Sequence, residues 1–385
     1  MRFHSSYGHK TDLINVVLRT TASITTRVAI GEGAVSSVGS ILKQCAAVGQ
    51  RVLVLTQPTL MDTWAAAALE SLKDAGFSTT LMELPDGEDC KSHESLLRVW
   101  EQMQSLQMDR SDSLVAVGGG ALSDMAGFAA STYLRGVRSI LVPTTLLAQV
   151  DASIGGKTGI NLPSGKNLAG TFHFPEVVIV DPDTLKSLPE RDLLSGLGEI
   201  IKYAYIEETI AERTEYKRGP RSLYRVLSDL LLGNGFRVDA PELLGIITAC
   251  VKMKMAVVGK DPYEGELRRC LNLGHTLAHA VEKVTKYGVT HGQAVAIGTV
   301  FACRLSESRG VFDHGDTENL IAMLQAARLP TEVPDGLRKD DLVQAIAFDK
   351  KRQGNDIKFV LPIKPIGTCD LSSRIPISDF RELLK

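Results

Sequence analysis

The stretch Ser113-Leu-Val-Ala-Val-Gly-Gly-Gly-Ala-Leu-Ser-Asp124 carries the reading of the fold. A short apolar run of β character, residues 113–117, feeds into three glycines and then into a helix of small residues predicted over 121–132. A strand that ends on glycine and opens a helix suits an anion, because glycine lets backbone N–H groups come close and the helix start adds a positive dipole end. Gly119 and Gly120 are therefore candidate contacts to a nucleotide cofactor. Taken alone, the triple glycine reads equally well as a plain tight turn.

Working outward, residues 51–56 and 78–82 read as strands, and 61–75 and 92–106 as amphipathic helices. A further strand over 139–142 runs into Pro143-Thr144-Thr145, whose hydroxyls face a cofactor in one reading and cap the next turn in the other. This alternation is the rhythm of a parallel sheet, in which ligand loops follow the strands. The charged turn 85–91, with Glu88 and Lys91, fits either a nucleotide site or solvated surface.

Beyond residue 190 the strand pattern stops, and helical periodicity occupies 192–206, 241–258, 273–285, 292–309, 316–327 and 339–348. The turn-rich stretch 182–189 separates the two halves. The expectation is an α/β N-terminal, Rossmann-like parallel-sheet domain over 1–185 and an all-α C-terminal domain over 186–385, consistent with a chain of 385 residues. Residues 212–236 read as a surface excursion and Met1 to Lys10 as a loose tail without the apolar core of a secretory signal.

A net charge of -2 gives no reason to expect nucleic acid as a partner. No apolar run approaches the roughly 18 residues of a membrane span. The six cysteines show no CxxC spacing and lie mostly in apolar contexts, as reduced thiols do in a cytoplasmic protein.

Three clusters carry chemistry. Asp151-Ala-Ser-Ile-Gly-Gly-Lys157 and Ser164-Gly-Lys166-Asn167 place an aspartate, two lysines and an asparagine in glycine-rich loops, where they converge on an anion or stand solvated. His275-Thr-Leu-Ala-His279 sets two imidazoles on one helix face, and His291 opens the next helix, so three of the eight histidines fall within seventeen residues. The zinc-protease glutamate after the first histidine is missing, so a carboxylate must come from elsewhere. Glu199, in Gly196-Leu-Gly-Glu-Ile-Ile-Lys202, is a charge in an apolar helix that needs a partner or a metal, with Lys202 one turn on. Two histidines and one carboxylate make a catalytic Zn²⁺ set. Lys254, Glu264, Arg268 and Asn272 lead into it and, with Arg135, Lys157 and Lys202, imply a multiply charged anionic substrate.

The segments Gly118–Asp124, Tyr133-Leu-Arg135-Gly, Val142–Lys157, Gly165–Gly170, Gly198–Lys202, Asn272–His279 and His291-Gly-Gln-Ala-Val resemble the 3-dehydroquinate synthases of the sugar-phosphate cyclase family, and the likeness spans nearly the whole chain. The resemblance implies conversion of 3-deoxy-arabino-heptulosonate 7-phosphate to 3-dehydroquinate and phosphate in the shikimate route to aromatic amino acids. Oxidation of a ring hydroxyl, β-elimination of phosphate, re-reduction and an intramolecular aldol closure would follow one another, with NAD regenerated within the turnover. It implies Zn²⁺, or Co²⁺, held by Glu199, His275 and His291. Glu88, Lys91, Gly119, Gly120, Asp124, Thr144, Thr145 and Lys166 would hold NAD. Arg135, reaching in from a neighbouring subunit of a homodimer, would hold the sugar phosphate together with Asp151, Asn167, Glu264 and one of Lys350 and Lys351. Lys157, Lys202, Lys254, Arg268, Asn272 and His279 would serve the chemistry.

Two departures stand out: Gln57 lies where the family commonly binds the adenosine ribose, and Gln293 lies where a glutamate would add a charge behind the metal ligands. The rival readings are an aminodehydroquinate, 2-deoxy-scyllo-inosose or 2-epi-5-epi-valiolone synthase, or a metal-dependent polyol dehydrogenase. Presence of both Asn272 and His279 favours a carboxylated substrate.

Overall fold

The structure is a computed structural model that describes residues 13–19, 25–45, 49–233, 235–347, 352–353 and 356–384. The tail predicted over Met1 to Lys10, the end of the helix predicted to reach Phe348, and the Lys350/Lys351 pair lie outside the described residues. The chain divides into two compact units, Met1–Leu188 and Pro189–Lys385.

The first unit is built on strands β1 (Ile14–Arg19), β2 (Thr25–Ile30), β3 (Arg51–Thr56), β4 (Ser78–Glu83), β5 (Ser113–Gly118), β6 (Arg138–Pro143), the hairpin β7 (Lys157–Leu162) and β8 (Gly165–Phe172), and β9 (Val177–Val180). Its helices are α1 (Val38–Lys43), α2 (Ala66–Asp74), α3 (His93–Ser105) and α4 (Gly120–Thr132). Seven strands form one sheet in the order β1-β2-β9-β6-β5-β3-β4, parallel except for β1 against β2. β5 and β9 are buried along their whole length, so they read as continuous apolar runs. Val52, Val54, Val115, Val117, Ile140, Val142, Val177 and Ile179 present one face to α1 and α2. Helix α4, with Leu122, Met125, Ala126 and Ala129 buried, covers β5 and β6.

From β3 the chain steps outward to β4 and then back across to β5, so the order reverses between β3 and β5. Ligands of such sheets bind beyond the strand ends at that reversal, where Gly118 to Gly120 stands.

The second unit contains α5 (Glu190–Ala204), α6 (Glu207–Arg213), α7 (Leu223–Gly233), α8 (Leu243–Lys260), α9 (His275–Val284), α10 (His291–Ser308), α11 (His314–Ala326), α12 (Lys339–Ala347) and α13 (Ile377–Leu383). Helix α10 is buried on nearly all sides and packs against α5, α9 and α11. The unit is helical as predicted, with an addition the periodicity does not carry. Short strands β10 (Arg352–Gln353), β11 (Asp356–Lys358) and β14 (Arg374–Pro376) form one small sheet, and β12 (Leu361–Ile363) pairs with β13 (Thr368–Asp370). Two or three residues are too few for an alternation to register.

The stretch 212–236 is corrected: α7 lies within it and buries Leu223, Leu227, Leu230 and Leu231, an i, i+4, i+7, i+8 stripe that the flanking charges obscured. Among the described residues no helix is long and apolar enough to cross a membrane. All six cysteines are free thiols.

Candidate metal centre and nucleotide loop

In the first unit, β5 and β6 run in register so that Gly118 pairs with Pro143, and the Thr144 amide donates to the Gly118 carbonyl at 3.0 Å. The cofactor candidates Gly119, Gly120, Thr144 and Thr145 thus meet at two adjacent strand ends. A Cβ on Gly119 would stand 3.2 Å from the Thr145 methyl, and one on Gly120 would stand 2.9 Å from Ala152. Gly119 caps α4 without a side chain, which leaves the first-turn amides to an incoming anion. Thr145 also caps its own turn, its hydroxyl accepting from the Ala148 amide at 3.2 Å.

Lys157, Lys166 and Asn167 lie on the strands of a hairpin, where the sequence suggested loops. That correction has a physical cause: β7 and β8 stand apart from the main sheet, and exposed glycine, lysine and asparagine positions give no apolar alternation. The hairpin instead seats Thr158 where a Cβ on Gly127 of α4 would be.

Its position gathers the predicted residues. The Lys91 amine, almost fully buried, donates to Asp124 Oδ2 at 2.6 Å and to Asn167 Oδ1. Glu88 accepts from Asn161 Nδ2 at 2.8 Å and lies 3.7 Å from the Lys166 amine. Asn161, which sequence reasoning missed, also accepts from the Asn167 amide at 3.0 Å, and no motif marks it. Lys157 and Asp124 line one small cavity with Ser123 and Ser153, next to the turn that bears Asp151.

Arg135 is not brought to this group. It stands exposed, in a left-handed conformation, just past the far end of α4 from Gly120. Gln57 is also accounted for otherwise: its amide donates to the Pro85 carbonyl at 3.0 Å and ties β3 to the turn after β4.

In the second unit, Glu199 of α5, His275 of α9 and His291 of α10 have ligand atoms within 4.8 Å of one another. Glu199 Oε1 lies 3.5 Å from His275 Nε2 and 3.3 Å from His291 Nε2. That oxygen is buried without a hydrogen bond, while Oε2 accepts from Lys202, which also donates to the Leu271 carbonyl at 2.8 Å.

Burial pushes the Glu199 pKa up, but the Lys202 charge and the two imidazoles outweigh it and hold the carboxylate well below its usual range. Burial drives His275 well below the imidazole range against the pull of Glu199. His275 is thus neutral, and because its Nδ1 faces the Leu273 carbonyl at 3.0 Å, that nitrogen bears the hydrogen and Nε2 keeps its lone pair. Burial would also lower His291, yet the Glu199 and Glu282 carboxylates that its two ring nitrogens face raise it to about 10. An ionised carboxylate oxygen that faces two imidazole nitrogens, at 3.5 and 3.3 Å, suits Zn²⁺ or Co²⁺, with further positions left for substrate oxygens.

His279 is exposed, its ring edge-on to His275 at 5.5 Å. Arg268 and Asn272 sit on the turn before His275, with the Arg268 guanidinium donating to the Pro262 carbonyl at 2.7 Å and Asn272 donating to Glu264 at 3.4 Å. Lys254, nearly buried, lies on α8, which packs on α5 and on that turn. Gln293 proves to be a capping residue: its Oε1 accepts from the Thr290 amide at 3.0 Å while the Thr290 hydroxyl accepts from the Gln293 amide. The charge behind the candidate metal ligands is Glu282, which sequence reasoning missed, although it stands seven residues after His275 on the same helix face.

Glycines hold the ligand-bearing helices in place. Gly198, next to Glu199, and Gly292, next to His291, meet where α5 crosses α10: a Cβ on Gly292 would fall 1.8 Å from the Ser195 carbonyl oxygen. Gly274, next to His275, meets Gly298 of α10 in the same way, at 2.0 Å. Gly292→Ala is expected to lower the unfolding free energy by about 3 kcal/mol and to weaken metal binding, checked by denaturant titration and metal analysis.

Residues 81–195 match the family model described as 3-dehydroquinate synthase N-terminal, and residues 196–352 the model described as 3-dehydroquinate synthase C-terminal. The chain is 42% identical over 341 residues to the 3-dehydroquinate synthase of Nostoc punctiforme, covering 88% of this chain and 90% of that one. A solved 2-deoxy-scyllo-inosose synthase, complexed with carbaglucose-6-phosphate, NAD+ and Co2+, superposes with a TM-score of 0.83 at 24% identity over 97% of this chain and 99% of that chain. A 2-epi-5-epi-valiolone synthase from Streptomyces hygroscopicus subsp. jinggangensis, with NAD+ and Zn2+ bound, gives 0.80 at 24% over 94% and 96%. At these identities the two structures speak for the fold alone.

Proposed function

The chain belongs to the 3-dehydroquinate synthase family, and from that membership we propose that it converts 3-deoxy-arabino-heptulosonate 7-phosphate to 3-dehydroquinate and phosphate, as a homodimer in the cytoplasm. The observation that carries this reading is the Glu199, His275, His291 set, with one buried carboxylate oxygen facing both imidazoles. When bound, NAD supplies reversible hydride transfer at a ring carbon and Zn²⁺ or Co²⁺ supplies Lewis acidity toward the substrate hydroxyls.

The protein's part is to bind, orient and move protons. Glu199, His275 and His291 hold the metal. The amides after Gly119, with Thr144 and Thr145, receive the cofactor pyrophosphate, and the Lys91–Asp124 pair braces the wall beside it. Glu88 and Lys166 serve the same cofactor from the hairpin side. Arg268 and Lys254, both nearly buried, provide fixed positive charge for carboxylate or phosphate, with Asn272 oriented by Glu264. Lys157, Asn167, Asp151, Arg135 of a neighbouring subunit and one of Lys350 and Lys351 are the remaining substrate residues that the family membership implies. His279, exposed beside a metal ligand, exchanges protons with solvent. Lys202 sets the charge of Glu199.

The test is one mixing experiment. The heptulosonate phosphate with NAD⁺ and Zn²⁺ is expected to release phosphate without accumulation of NADH, and a chelator is expected to stop the release. Stoichiometric NADH would identify a polyol dehydrogenase instead, and release from a different sugar phosphate alone would identify another cyclase.

A further inference from the structure

The two imidazoles of the metal centre are held by different partners. His275 faces a neutral acceptor, the Leu273 backbone carbonyl, at 3.0 Å from Nδ1. His291 faces a carboxylate, with Glu282 Oε1 3.3 Å from its Nδ1. Each ring therefore has its Nδ1 engaged and its Nε2 turned toward Glu199. A carboxylate behind a ligating imidazole fixes the tautomer and the ring orientation, and it raises the electron density at the opposite nitrogen more than an amide carbonyl does.

We infer that Glu282 is a positioning residue for the metal centre, acting through Nδ1 of His291 and making that imidazole the stronger donor of the two. The inference rests on the metal reading proposed above. Its placement supports it. His275, His279 and Glu282 occupy positions i, i+4 and i+7 of α9, so one helix face supplies a ligand to the metal and also orients the ligand that α10 contributes. The Glu282 side chain is largely covered, at 14% exposure, while His291 is the most accessible of the three ligands at 29%. A ring at the open side of a site has fewer packing contacts to hold it, and a charged hydrogen bond supplies the missing restraint. Gly292, beside His291, fixes the backbone through its contact with Ser195, but a backbone contact leaves the ring free to rotate about its side-chain bonds.

The experiment measures Co²⁺ dissociation constants by competition with a chelating dye, with visible absorption of the bound Co²⁺ and a thermal melt for each protein. Glu282→Ala is expected to weaken Co²⁺ binding by roughly 10- to 100-fold and to alter the Co²⁺ absorption bands. Glu282→Gln keeps a neutral acceptor oxygen, and its affinity is expected to fall between the two; being nearly isosteric, it carries the test if the alanine variant does not fold. Wild-type affinity and spectrum in both folded variants would overturn the inference. So would a lowered melting temperature at unchanged affinity, which would make Glu282 a structural residue. A wild-type protein that binds no Co²⁺ or Zn²⁺ would instead overturn the metal reading itself, and this inference with it.

Discussion

Replacing His275 by alanine is expected to strip the protein of its metal and to reduce turnover by on the order of a thousandfold, because a bound Lewis acid supplies several kcal/mol of charge stabilisation and each 1.36 kcal/mol is tenfold in rate. His275 is neutral, with its Nδ1 hydrogen on Leu273, so its Nε2 lone pair faces Glu199. Alanine removes that donor and leaves Glu199 and His291 as a two-point site. His279→Ala is the control. His279 is four residues on, and its ring stands edge-on to His275, but it is exposed and no part of the three-residue ligand set. That variant is expected to keep its metal and to lose activity only through proton exchange. Metal analysis of the two purified variants, with phosphate release as the second reading, decides between the imidazoles. Retention of metal by His275→Ala together with its loss from His279→Ala would reverse the assignment.

The helical spacing made this pair of histidines visible as candidates without ranking them, and only the family resemblance put His275 rather than His279 with Glu199 and His291. Spacing places His275 and His279 on one face of α9; it does not say which of them faces inward, because that depends on where α10 and α5 cross. The crossing is fixed by glycine contacts at Gly198 with Gly292 and Gly274 with Gly298, and a pairing between distant glycines has no signature in one sequence. The same reason hid Glu282, whose partner is nine residues away on another helix.

The parallel sheet was legible at β3, β5 and β6, where strands buried on both faces give uninterrupted apolar runs. The hairpin β7–β8 was not, because its pattern, Lys157 to Phe172, is mixed and largely exposed, and it is defined by its seat on α4 rather than by its own periodicity. Lys91 shows the limit from the other side. A lysine in a charged turn reads as solvated, yet here the amine is buried between Asp124 and Asn167, contributed by a helix and a hairpin distant in sequence.

Lys202→Met should show how one carboxylate serves both the fold and the metal. The Lys202–Glu199 pair is fully buried, with side-chain exposures of 1% and 0%, and methionine keeps the length of the stem while removing the charge and the donor to the Leu271 carbonyl. Removing one partner of a buried pair leaves the other uncompensated, and the expected loss in the metal-free protein is about 3–5 kcal/mol. Glu199 uses different oxygens for its two tasks, Oε2 for the lysine and Oε1 for the imidazole pocket. A bound divalent cation would therefore compensate the same carboxylate from its other side, so the loss should be smaller when metal is present. By linkage, a variant destabilised less with metal than without binds that metal more tightly. Urea unfolding of wild type and Lys202→Met, each with chelator and with Zn²⁺, measures the four free energies needed. An equal loss under both conditions would show that the lysine and the metal do not share Glu199. A larger recovery by Zn²⁺ in the variant than in wild type would place both cations on that carboxylate, so that the residue compensating Glu199 in the metal-free protein is also the one that limits how tightly the metal is taken.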